Sequence, residues 1–158
     1  MTAVEWPNAI SPGLWPFRLD APEQWSAVEP TEGLIAFLGP PADDFRANLV
    51  VFGRRLPEDL TLGEVAELAL ADDAPRRVVD PGIDQPAAPG GLPVAVRSSG
   101  TVVEGREVRQ IAVVTEAPDR SPSGLRSVYT MLGTYLADRA DLDESPLTSV
   151  MASFELIY

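Results

Sequence analysis

The 158-residue sequence predicts an α+β protein in which an antiparallel β-sheet is flanked by helices. Its β-rich segments follow one another through short turns, which is typical of antiparallel pairing. Two other stretches repeat apolar residues at the i, i+3, i+4, i+7 spacing of a helix. We expect an N-terminal arm over residues 1–13, whose prolines and glycine exclude a helix, and a single domain over residues 14–158.

The first half of the chain predicts short strands separated by turns that contain proline or glycine. We expect extended segments at 14–19, 25–28 and 34–38, the last of them stopped by Gly39-Pro40-Pro41. A further strand is expected at 46–52, and its Leu49-Val50-Val51-Phe52 is apolar on both faces, which predicts a central strand covered on both sides. Trp25 is expected in the core.

A helix is predicted after these strands. Thr61 and Glu64 form a capping box, in which each side chain satisfies a backbone amide of the first turn. The helical stripe that follows consists of Leu62, Val65, Ala66 and Ala69. We expect this helix to end near residues 72–73, before Pro75.

The second half predicts a short edge strand at 78–79, a loop over 80–91, three strands and a helix. The strands are expected at 92–103, 106–116 and 125–136, with a two-residue hairpin turn at Glu104-Gly105. Ser145-Pro146 is predicted to open the second helix, because serine is a good cap and proline fits the first helical position.

The sequence contains no histidine, cysteine or lysine, and its twelve basic residues are all arginine. The most common general base and the best side-chain nucleophiles are therefore missing. An acidic cluster at Asp138, Asp141, Asp143 and Glu144 lacks the spacing and the glycine of a calcium loop. We predict no catalytic residue, no metal and no cofactor; a carboxylate-dependent hydrolase is the lesser alternative.

The net charge of −12 restricts the partners. It argues against nucleic acid and anionic membrane surfaces, and it suits a soluble protein or one that meets a basic protein. No apolar run is long enough for a membrane span, and the first residues lack the features of a signal peptide. We therefore expect a cytoplasmic protein without membrane insertion; its oligomeric state is left open.

Four residues are candidates for a binding surface. Trp6 lies in the proline-flanked arm and is the best candidate for an exposed aromatic anchor. Tyr129, Met131 and Tyr135 share one parity of the strand 125–136. That face either lines a groove or packs into the core, and the sequence leaves both alternatives open.

Several segments together resemble the LpqN/LpqT family of actinobacterial proteins, which has the PsbP-like fold. They are Pro22-Glu23-Gln24-Trp25, Phe45-Arg46-Ala47-Asn48-Leu49-Val50-Val51, Arg55-Leu56-Pro57 with its following helix, and Ser153-Phe154. The resemblance covers residues 14–157. It implies an α/β/α sandwich without enzymatic activity, related to folds that bind other proteins.

These observations lead to two main hypotheses. The first is a non-catalytic protein-binding module, for example an adaptor or chaperone for a secreted effector. The alternative is a small-molecule or lipid-binding module with an apolar pocket between sheet and helix.

Overall fold

The computed structural model describes residues 2–42, 45–71, 78–79 and 91–157. In these residues nine strands and two α-helices follow in chain order. They are β1 (Phe17–Arg18), β2 (Ser26–Val28), β3 (Ile35–Leu38), β4 (Asn48–Leu56), α1 (Leu62–Ala71), β5 (Val78–Val79), β6 (Val94–Val103), β7 (Arg106–Arg120), β8 (Arg126–Leu136), α2 (Ala140–Ala152) and β9 (Glu155–Leu156). The predictions of a loop at 80–91 and of a helix end at 72–73 fall almost wholly outside the described residues.

Seven of these strands form one antiparallel sheet in the order β2-β3-β4-β8-β7-β6-β5. The chain builds one half of the sheet up to β4, and after α1 it builds the other half from the opposite edge. The two halves meet where β4 pairs with β8. A separate short ribbon pairs β1 with β9.

A helix packs on each face of the sheet, so the predicted α+β sandwich is confirmed. One core lies between α2 and the face that carries Leu49, Val51, Ile111 and Met131. The other core lies between α1 and the face that carries Ala112, Val114 and Val128. Successive side chains of a strand point to opposite faces. The near-continuous apolar runs of the central strands therefore contribute side chains to both cores.

One half of the predicted capping box forms at the start of α1, because the Glu64 carboxylate meets the Thr61 hydroxyl instead of the Thr61 amide. The amide of Glu64 donates to Thr61 Oγ1 at 3.1 Å, and the Thr61 hydroxyl lies 3.2 Å from Glu64 Oε1. The hydroxyl therefore satisfies one of the amides that the first turn leaves without a helical partner.

The predicted start of α2 at Ser145 is wrong. The helix begins at Ala140, directly after a single 3₁₀ turn, and Pro146 lies inside it. An internal proline costs a backbone hydrogen bond. Burial of Leu147, Val150 and Met151 beyond it offsets that cost, because all three belong to the core under the sheet.

Two strand boundaries also differ from expectation. β7 continues to Arg120, through a register shift between Glu116 and Arg120 that accommodates Pro118 next to β8. β4 continues to Leu56. The predicted hairpin turn is present, with positive φ at both Glu104 and Gly105.

Candidate functional site

Three of the predicted binding residues do not form a surface. Tyr129, Met131 and Tyr135 are fully buried under α2, so the expectation that they line an accessible groove is wrong. The reason lies at Gly133 in β8, where a Cβ would meet Leu147 Cδ2 at 2.7 Å. The missing side chain lets α2 approach the sheet closely, and the helix covers this parity of β8.

The two buried tyrosines have different hydroxyl environments. Tyr129 Oη donates to the carbonyl oxygen of Trp15 at 2.7 Å, which ties the chain before β1 to the sheet. The Tyr135 hydroxyl is fully buried beside Arg109 and Glu144. Burial, together with the negative charge of Glu144, raises the pKa of Tyr135 to about 12, although Arg109 acts in the opposite direction.

This raised pKa predicts a specific alkaline instability. The unfolded chain releases the tyrosine proton near pH 10, so the stabilisation from neutral Tyr135 is complete below that pH and is lost as the pH rises towards 12. Relative to wild type, Tyr135→Phe is expected to gain about 2–3 kcal/mol of unfolding free energy over this range. Urea unfolding at several pH values measures the difference. A difference that stays constant from about pH 9 to 12 would contradict the prediction.

Trp6 is 70% exposed, as expected for a residue of the arm. Its indole N–H donates to Ser11 Oγ at 3.1 Å, and Arg55 Nη1 donates to the same oxygen at 3.2 Å. The Asn8 side chain accepts from the amides of Ile10 and Ser11. The arm is therefore a hydrogen-bonded turn that presents Trp6 to solvent; its role in binding stays a prediction.

The opposite face of the sheet carries a groove beside α1. This helix packs mainly over β6 and β7, and it leaves the β3–β4 side of the same face uncovered. The space has a volume of about 520 Å³. We call it the α1 groove, defined by Glu32, Gly33, Leu34, Phe52, Gly53, Arg54, Ala69, Thr130 and Leu132.

The outer wall of the α1 groove is set by a close approach of the chain to β4. Gly33 has a φ of +97°, and a Cβ there would meet Val50 Cγ1 at 2.9 Å and the Val51 carbonyl oxygen at 3.0 Å. Only glycine fits this conformation without strain. The following amide, of Leu34, donates to the Val51 carbonyl at 2.7 Å. The Leu34 side chain is 47% exposed and points to the opposite face, where its Cδ1 lies 2.8 Å from the position of a Cβ at Gly53.

The α1 groove combines an apolar wall with few charges. Phe52 and Leu132 supply apolar surface, and the groove residues include one carboxylate, Glu32, and one guanidinium, Arg54. A glycosidase-type mechanism needs two carboxylates that face each other. Among the described residues no group of histidine, cysteine or acidic side chains could hold a metal ion. The arrangement is suited to binding an amphipathic ligand.

Comparisons with known proteins identify a solved structure that has the same fold. No protein-family model and no curated protein matches the sequence. The architecture defines a helix–sheet–helix sandwich, and the same sandwich occurs in a solved structure of LpqN, described as involved in cell envelope biogenesis of Mycobacterium tuberculosis. LpqN is 15% identical with a TM-score of 0.73, and the match covers 94% of this chain and 87% of LpqN.

Two further solved structures are similar over most of this chain. A Bacteroides thetaiotaomicron protein is 19% identical with a TM-score of 0.55; the match covers 94% of this chain but 47% of that protein. Cyanobacterial PsbP from Synechocystis is 12% identical with a TM-score of 0.42, over 99% of both chains. At 15% identity, the match to LpqN shows that this chain and LpqN share a fold. Neither described helix is long and apolar enough to cross a membrane.

Proposed function

We propose that this chain is a non-catalytic binding module that holds a segment of another protein in the α1 groove. The observation that carries the proposal is the sheet face that the described residues cover only in part: α1 packs over β6 and β7, and apolar side chains beside it are accessible. Val28, which is 38% exposed, and the half-buried Phe52 mark this face. Accessible apolar surface next to a groove is typical of interaction sites.

The charge of the chain indicates the character of the partner. With a net charge of −12, the protein attracts basic segments and repels acidic ones over a Debye length. A basic protein segment with apolar side chains would suit both the charge and the groove. An adaptor or chaperone that holds such a segment of a secreted effector is the biological role we favour.

The shared fold supports membership of the LpqN/LpqT family as part of this proposal. The segments that resemble the family lie directly before β2, at the two ends of β4, in α1 and directly after α2. LpqN is described as acting in cell envelope biogenesis, whereas a cytoplasmic location for this chain stays a prediction.

A second candidate function is binding of a small molecule or a lipid. The α1 groove measures about 520 Å³, which lies in the range of ligand sites, and it is positioned between sheet and helix as such a site would be. Native mass spectrometry of the protein purified from its host distinguishes the two candidates. A bound small molecule that Phe52→Glu removes would favour this second function.

The protein-binding function is tested at Phe52, whose side chain lies on the α1 face. A photo-crosslinking amino acid at position 52 in the native host should give a discrete adduct with one protein, whose purified form is then titrated against variants. We expect Phe52→Glu to weaken this binding roughly tenfold or more, because a carboxylate would be desolvated on the apolar wall. Leu142→Glu is the matched control, since Leu142 is 59% exposed on α2, away from the groove.

Two outcomes would contradict the proposal. Equal losses of affinity in Phe52→Glu and Leu142→Glu would show that added negative charge, and not the groove, determines binding. Unchanged affinity in Phe52→Glu would place the contact elsewhere on the protein.

A further inference from the structure

β2 is an edge strand, and in the described part of the chain no strand pairs with its outer side. Its three residues, Ser26–Val28, are all exposed. An open edge offers backbone donors and acceptors to another extended segment. The edge lies on the β3–β4 side of the sheet, which is also the side that α1 leaves uncovered.

The hydrogen-bond register identifies the backbone groups at this edge. Gly39 N donates to the Ala47 carbonyl, in the same register as the pairs between β3 and β4. Because antiparallel bonding alternates along a strand, Ala36 and Leu38 of β3 direct their backbone groups towards β2. Their partners are Val28 and Ser26, so the N–H and C=O of Ala27 point outward.

The residues around this edge carry one sign of charge. Asp20, Glu23, Glu29 and Glu32 flank β2 and are all exposed, and the sequence has no arginine from residue 19 to residue 45. An acidic edge disfavours pairing with a second copy of this chain, which would bring identical charges together. The same charge would attract a basic strand.

We propose that the partner binds by β-augmentation: a basic, extended segment adds as a further strand along the outer edge of β2, bonded through the backbone of Ala27. This inference rests on the proposed protein-binding function and specifies its geometry. Backbone hydrogen bonds supply affinity in this mode, and alternate side chains supply specificity.

The side chains of the sheet predict the pattern of the added strand. Val28, Ala36, Val50 and Leu132 pair across β2, β3, β4 and β8 and form an apolar row on the α1 face. An apolar residue of the added strand would extend this row past Val28, which is 38% exposed at the edge. Its neighbours in sequence would point to the other face, where lysine or arginine can remain solvated.

The probe is a synthetic peptide of alternating lysine and valine, about six residues long, the usual length of a strand. We expect it to perturb the backbone amide signals of β2 in NMR spectra of the intact chain, with an affinity that falls as salt is added. The counterpart with glutamate in place of lysine should not bind. Equal binding of both peptides would overturn the inference.

Ala27→Pro tests the backbone bond directly. Proline removes only the outward N–H, and edge strands tolerate it on the solvent side. Affinity for the lysine–valine peptide should fall roughly tenfold or more, whereas Ala27→Ser, which keeps the amide, should bind like wild type. As a second test on the unaltered protein, a peptide N-methylated on alternate residues should also lose binding. Full binding of Ala27→Pro or of the N-methylated peptide would overturn the inference.

The same variants separate this inference from the proposed function. If Phe52→Glu abolishes binding of the crosslinked partner and Ala27→Pro does not, the groove binds the partner without an added strand. If neither variant affects that partner, the proposed function itself fails.

Discussion

Arg126→Ala is expected to lower the free energy of unfolding by about 3–5 kcal/mol, because it breaks a buried charge network. Arg126 is the first residue of β8 and is buried. Its guanidinium donates to the carbonyl oxygens of Pro57 and Leu60, in the turn before α1, and lies 3.4 Å from Glu116. The substitution would leave two carbonyls and a carboxylate without this partner. Urea unfolding measures the loss.

Arg120→Ala is the matched control. Arg120 also forms an ion pair near the β7–β8 turn, at 2.7 Å from Glu58, but both side chains are largely exposed. Such surface pairs contribute about 0–1 kcal/mol. Similar losses for both variants would show that Arg126 does not hold the α1 turn through buried hydrogen bonds.

Phe154→Ala should cost about 3–5 kcal/mol, the usual range for removing a buried phenylalanine. Phe154 follows α2 and is fully buried. Its ring stacks on Phe17 at a centroid distance of 5.2 Å and lies 5.4 Å from the ring of Tyr129. These three rings join β1, β8 and the end of α2, so the cavity would weaken three elements together.

Trp6→Ala provides the comparison for this substitution. It removes a larger aromatic ring, but one that is 70% exposed on the arm, so the unfolding free energy should change by about 0.5 kcal/mol or less. Thermal or urea unfolding measures both variants. A loss of several kcal/mol in Trp6→Ala, or a negligible loss in Phe154→Ala, would contradict this assignment of the core.

The local pattern of the sequence predicts much of the fold. Periodicity identified both helices and the long strands, and the Thr61 cap and the Glu104-Gly105 turn follow from local chemistry. The start of α2 could not be predicted in this way. Ser145-Pro146 has the features of a helix start, but burial of the residues after it makes an internal proline tolerable.

The candidate site depended on contacts that are distant in sequence. The shared parity of Tyr129, Met131 and Tyr135 was correct, since all three point to one face. Parity does not state what covers a face, and α2 covers this one. The α1 groove exists because α1 packs over β6 and β7 after the chain crosses the sheet. The strands over which α1 packs come after it in the chain, and no local pattern in the sequence of α1 specifies its position on them.

The central claim is that the uncovered part of the α1 face binds a protein segment. Hydrogen exchange of the protein, alone and saturated with the partner captured at position 52, tests it most directly. We expect slower exchange at β2 and in the segment around Gly33 and Leu34, with unchanged exchange in α2. Protection confined to α2 or to the arm around Trp6, with β2 and Leu34 unaffected, would contradict the claim.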